Sequence, residues 1–209
     1  MKWQELLENM DPLLPADFLS YSFSIPHTKL QKTDFLPDLT YLLDEEKFAF
    51  LSLSWNEEGL RGKVFVEKVL EKSFFPDYAK GDSVEIFLDT RDHKKSGFAT
   101  RFCHHFVFLA EEVNGVQSEE VTRFRQEDSH PLCNSSELEV SCLVEKKSYE
   151  LSFFIKESAL QGYDPLQFPR IGFAYKINRF KGKPQHFPVS SSYFDLLEHP
   201  GLWASITLI

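Results

Sequence analysis

A chain of 209 residues, 42% hydrophobic and with a formal net charge of −9, can bury one full core and lacks the basic surface that nucleic acid requires. Its 21 phenylalanines against two methionines favour aromatic-rich strands over helical bundles. No segment approaches the roughly 18 apolar residues of a membrane helix, so neither nucleic acid nor membrane is expected as a partner.

Residues 3–10 place Trp3, Leu6, Leu7 and Met10 at helical spacing, which predicts a short N-terminal helix ended by Asp11-Pro12. Glu5, Glu8 and Asp11 interrupt the apolar run that a signal peptide needs, so a cytoplasmic location is expected. Phe18, Tyr21, Phe23 and Ile25 then begin an extended region punctuated by Pro26 and Pro37. Residues 1–45 are accordingly read as a helix and extended segment packing on a domain formed by 46–209.

Residues 48–55 read as a strand with its turn at 56–59, and 62–72 as another strand, with Val64, Val66 and Val69 among charges. In 83–89, Val84, Ile86 and Leu88 alternate with Ser83, Glu85, Phe87 and Asp89, the period of a strand. A polar loop, 90–100, leads to a second strand at 101–109. From there to 136 the chain is polar, with one short strand expected near 121–125. Residues 138–144 and 149–155 predict a hairpin, and 157–161 a helical turn stopped by Gly162. The final strands are 171–177 and 203–209, and the segment 178–186, with Lys183 and His186, reads as an exposed loop. Many short strands separated by turn signals predict an all-β fold, a sandwich or a barrel.

Several of these segments resemble the family 9 carbohydrate-binding modules and their bacterial relatives. The signature is Gly81-Asp-Ser-Val-Glu-Ile-Phe-Leu-Asp89, continued in one bacterial branch by Asp89-Thr-Arg91 and by Arg101-Phe-Cys-His-x-Phe106 on the next strand. Ser52-Leu-Ser-Trp55, Tyr149-Glu-Leu-Ser-Phe-Phe-Ile155, Ile171-Gly-Phe173 and Leu202-Trp-Ala-Ser-Ile206 follow in the family's order, so the likeness runs from about Phe48 to the C-terminus. It implies a curved two-sheet antiparallel β-sandwich that binds sugar without cleaving it. The family's sugar binders clamp the ligand between two aromatic rings. The first falls here at Ala79 and Lys80, with Tyr78 the nearest ring, and the second at Tyr193 or Phe194.

The candidate ligand-binding residues gather on the signature hairpin: Asp89, Arg91, Arg101, His104 and His105, with Tyr78 or Tyr193 as the aromatic platform. Carboxylate and guanidinium forks at a strand end suit vicinal hydroxyls, while a ring accepts the C–H face of a sugar. Two hairpin registers remain open. One puts His104 among Phe102, Phe106 and Phe108; the other, shifted by one residue, brings it to Asp89 or Glu85. An ion pair of Asp89 with Arg91 or Arg101 is the structural alternative to a sugar contact.

His130 and Cys133 offer two metal-capable groups, fewer than a zinc site needs, and no cofactor is expected. Cys103 and His104 are adjacent on a strand and point to opposite faces, so they form no dyad. No nucleophile–base pair or spaced carboxylate pair can be assembled from the readable motifs, and the domain is expected to be non-catalytic. The three cysteines lack a CxxC spacing and read as free thiols. The leading expectation is recognition of a small saccharide or glycan end. The alternative is a sandwich that has lost sugar binding and meets a protein partner.

Overall fold

The computed structural model describes residues 22–27, 35–95, 97–125 and 127–209. The signature hairpin forms from β4, Ser83–Asp89, and β5, Cys103–Val113, paired antiparallel. Ile86 lies opposite Phe106, and Leu88 opposite His104. This settles the register: His104 sits on the apolar face, and Glu85, Phe87 and Asp89 share the opposite face with Cys103 and His105. On the other side of β4 lies β9, Arg170–Asn178. With a neighbour on each edge, β4 is central, and all seven of its residues are buried.

Among the described residues the larger sheet has seven strands. Beyond β9 come β11, Ala204–Leu208, and β1, Ser22–Ile25, which pairs with β11 in parallel. Beyond β5 lies β6, Val116–Glu120, and β10, Gln185–Phe187, pairs with β9. The smaller sheet has the order β2 (Ala49–Asn56), β3 (Gly59–Val66), β8 (Tyr149–Lys156) and β7 (Leu138–Val144). Leu51, Val64, Leu151 and Phe153 from this sheet pack with Ile86, Phe106, Phe108 and Phe173 from the other. Apolar residues at alternate positions of both sheets thus make the core of an all-β sandwich.

Gly62 lies in that core opposite Phe153, and a Cβ added there would come within 2.2 Å of the Phe153 ring. Gly62→Ala is therefore expected to destabilise the protein by about 1–3 kcal/mol through overpacking. A lower urea midpoint with an unchanged m-value is the measurement that checks it.

Four sequence expectations shift. β3 begins at Gly59 and ends at Val66, so the charged residues 67–72 leave the sheet. β5 runs on to Val113, and its partner is β6 at Val116–Glu120, not 121–125. The reason is Asn114-Gly115, both at positive φ (54° and 83°), a two-residue hairpin turn. Residues 178–186 are not an exposed loop throughout: β10 lies at their end, and His186 is 1% exposed. Three residues between Pro184 and Pro188 are too few to show a strand period. A one-turn helix, α1, Thr40–Leu43, interrupts the extended region. The predicted helix at 3–10 falls outside the described residues.

The outer face of the larger sheet is also covered. Phe87, Cys103 and Ala174 form a second cluster with Ala99, Leu196 and Trp203, and Trp203 donates its indole N–H to the Leu196 carbonyl at 2.8 Å. The polar ends of this covered face are where the chemistry collects.

Candidate functional site

Glu85 on β4, His105 on β5 and Lys176 on β9 point to the outer face of the larger sheet. They form the floor of a recess of about 420 Å³, in the volume range of small-ligand sites. Tyr78, on the 3₁₀ turn Tyr78–Lys80, Phe194 and Asp195, from the segment after β10, and Arg123 complete its lining.

Glu85 Oε2 accepts from His105 Nε2 at 2.9 Å, Oε1 accepts from Asn178 Nδ2 at 2.8 Å, and the Lys176 ammonium stands 3.3 Å from Oε1. Burial alone would raise its pKa. The hydrogen bond and charge of His105, with Lys176 and Asn178, outweigh burial and hold the carboxyl at about 2. The His105 ring stacks on Phe87 at 4.2 Å and meets Tyr78 edge-on at 6.0 Å. Burial, with the Glu85 charge, pushes the Tyr78 phenol up, so its hydroxyl stays protonated and able to donate. The recess therefore offers a permanent carboxylate, an ammonium and a guanidinium together with the rings of Tyr78 and Phe194.

The hairpin brings together only part of the predicted set. His105 and Tyr78 line the recess; Asp89, Arg91, Arg101, His104 and Tyr193 do not. Asp89 is 1% exposed and spends its oxygens on the backbone N–H groups of Arg91 and His93, at 2.9 and 2.6 Å, holding the loop that follows β4. It makes no ion pair with either arginine. Arg91 lies 3.7 Å from the centre of the Phe168 ring and stacks also on Phe102, while Arg101 is exposed and pairs with Asp128. Tyr193 is 77% exposed and faces a different depression, leaving its neighbour Phe194 as the ring at the recess. Two charged residues of the floor were missed. Glu85 and Lys176 lie at paired positions of β4 and β9, and the signal available was Glu85's alternation onto the face of His105.

His104 is fully buried in a separate network. Its Nδ1 lies 2.8 Å from Glu120 Oε1, and His130 Nε2 lies 2.9 Å from the same oxygen. Thr122 Oγ1 also donates to Oε1, and the Cys133 backbone N–H donates to Oε2. Burial would raise the Glu120 pKa, but His104, His130 and the Cys133 N–H outweigh it and hold the carboxyl well below its usual range, while desolvation pushes the His104 pKa down.

Two histidines and a carboxylate within 4.8 Å of one another are a ligand set for a metal such as zinc. The hydrogen bonding does not fit one. The Gln161 backbone N–H donates to His104 Nε2 at 3.0 Å, which puts the ring proton on Nδ1, the atom that would have to bind metal. The cluster is a closed hydrogen-bond network joining β5, β6 and the segment that follows. The three cysteines are free, and burial pushes the Cys103 thiol up to about 12.

A wider depression of about 510 Å³ lies on the outer face of the smaller sheet. There the Arg61 guanidinium lies 3.8 Å over the Phe154 ring and covers its aromatic face. No helix among the described residues is long and apolar enough to cross a membrane.

No protein-family model matches the sequence, and no curated protein matches it. Solved structures do. A family 9 carbohydrate-binding module from Caldicellulosiruptor kristjanssonii in complex with glucose superposes with a TM-score of 0.61 at 15% identity, over 90% of this chain and 95% of that one. The module in complex with cellotriose gives 0.60 at 14% identity, over 90% and 93%. A protein assigned as carbohydrate-binding from Bacteroides uniformis gives 0.59 at 10% identity, over 90% and 99%. At these identities the likeness establishes the fold.

Proposed function

We propose, from the premise of a family 9 carbohydrate-binding-module fold, that the recess on the larger sheet binds a small saccharide or the end of a glycan. The observation that carries the reading is the Glu85–His105 pair on a floor flanked by Tyr78 and Phe194. Sugars need both halves of such a site: ring faces for their C–H groups and charged groups for their hydroxyls. Lys176 and Arg123 donate, while Glu85 and Asp195 accept. Neighbours of the same fold bind glucose and cellotriose, which supports this class of ligand.

The reading is one of binding without glycoside cleavage. Glycosidic-bond hydrolysis needs a carboxylic acid with a raised pKa to protonate the leaving oxygen. Glu85, held ionised at about 2 by its partners, has no proton to give.

Isothermal titration with glucose and cello-oligosaccharides, after a glycan-array screen, tests the proposal. A lost charged hydrogen bond is worth about 1.5–3 kcal/mol, so Lys176→Met should weaken binding by roughly tenfold or more. Phe194→Ala should do likewise, and Arg101→Ala, outside the recess, should leave affinity unchanged. Failure of every saccharide to bind, or full affinity in both recess variants, would overturn the reading.

A further inference from the structure

We propose a second activity at the wall of the recess: Glu45, His186 and Ser191 form an acyl-transfer triad that cleaves carboxylic esters of saccharide hydroxyls. Glu45 lies 141 residues before His186 while Ser191 follows it by only five, and no G-x-S-x-G motif announces them. The fold brings them together through β10, which carries His186 between Glu45, just after α1, and the segment that follows Pro188.

Glu45 holds the histidine at two points. Oε1 lies 2.6 Å from His186 Nδ1, and Oε2 accepts the His186 backbone N–H at 2.8 Å. A carboxylate on Nδ1 fixes the ring proton there and leaves the lone pair of Nε2 on the far side of the ring. That nitrogen lies 2.7 Å from Ser191 Oγ. Carboxylate, imidazole and hydroxyl at these separations are the relation in which a histidine removes the proton of a nucleophilic serine. Burial would raise the Glu45 pKa, but the His186 hydrogen bond outweighs it and the carboxyl stays ionised, as the orienting member must.

The surroundings give the triad access. Ser191 lines the recess assigned above to saccharide. His186 and Glu45 line a second depression, of about 350 Å³.

In the reaction, Ser191 Oγ bonds to the carbonyl carbon as its proton passes to His186 Nε2. The tetrahedral species collapses by breaking the carbon–oxygen bond to the sugar, and His186 returns the proton to the departing sugar oxygen. Water then repeats the sequence on the acyl-serine, releasing the carboxylic acid and restoring Ser191. The choice of a saccharide as the alcohol rests on the recess reading; the triad itself does not.

The experiment uses the full chain with p-nitrophenyl acetate, with acetylated glucose, and with a fluorophosphonate followed by peptide mapping. Hydrolysis of both esters and labelling at Ser191 are expected. Ser191→Ala, at an unchanged melting temperature, should lower turnover by about 10³-fold or more and abolish labelling, and Glu45→Gln should lower it while leaving Ser191 in place. Wild-type turnover no greater than that of folded Ser191→Ala, with no labelling, overturns the inference even where glucose binds normally. Cleavage of p-nitrophenyl acetate without binding or cleavage of any sugar sustains the triad and removes the saccharide as its substrate.

Discussion

Glu120→Ala is expected to be the most destabilising single substitution among the polar residues described above. The carboxylate is the common acceptor for His104, His130, Thr122 and the Cys133 backbone, and its side chain is wholly buried. Alanine leaves these four donors without an acceptor in a site that water does not reach. Removing one member of a buried charged network costs about 3–5 kcal/mol. At roughly 2–4 °C per kcal/mol for a chain of this size, the melting temperature should fall by about 6–20 °C. Glu119→Ala, one residue away, should stay within about 0.5 kcal/mol, since its side chain is only partly buried. Calorimetry of the two variants compares them directly, and equal melting temperatures would contradict the account.

Stability should also decline with acid in two stages. Burial lowers the His104 pKa below its ordinary 6.5, so the unfolded chain takes up a proton there that the folded chain refuses. Stability present above pH 6.5 is therefore lost as pH falls toward the folded value. The second stage comes from Glu85 and Glu120. Their carboxyl groups are depressed in the fold, so their contribution is complete above the unfolded value of 4.5 and is lost as pH falls through the folded one. For Glu85 that window runs from 4.5 to about 2, and its share is about 3 kcal/mol. Urea denaturation between pH 8 and pH 3 should show both declines. Glu85→Gln, which has no proton to gain, should flatten the lower one, and an unchanged profile in that variant would remove Glu85 as its cause.

The sequence by itself carried the strands of an all-β fold. Alternation in Val84, Ile86 and Leu88, in Leu51 and Leu53, and in Leu151, Phe153 and Ile155 is written one strand at a time. A period of two needs no knowledge of the partner strand. The same local chemistry gave the turn at Asn56–Gly59 and could have given the one at Asn114-Gly115. His105 stood out as part of the signature hairpin, and Tyr78 through the family resemblance, as the ring nearest the first clamp position.

What alternation cannot state is which groups meet across strands or beneath loops. Asp89 and Arg101 looked like partners because they are neighbours in the hairpin. The loop over Asp89 claimed its oxygens for backbone N–H groups, and Arg101 turned outward to Asp128. Glu85 acquired its role only when β9 brought Lys176 and Asn178 alongside, and Phe194 only when the segment after β10 folded over the sheet. Glu120 with His104 and His130, and Glu45 with His186 and Ser191, are likewise products of packing. The sequence determined the strands because strand formation is local. The sites were decided by the tertiary structure, because a buried charge takes whichever partner the fold places within hydrogen-bonding reach.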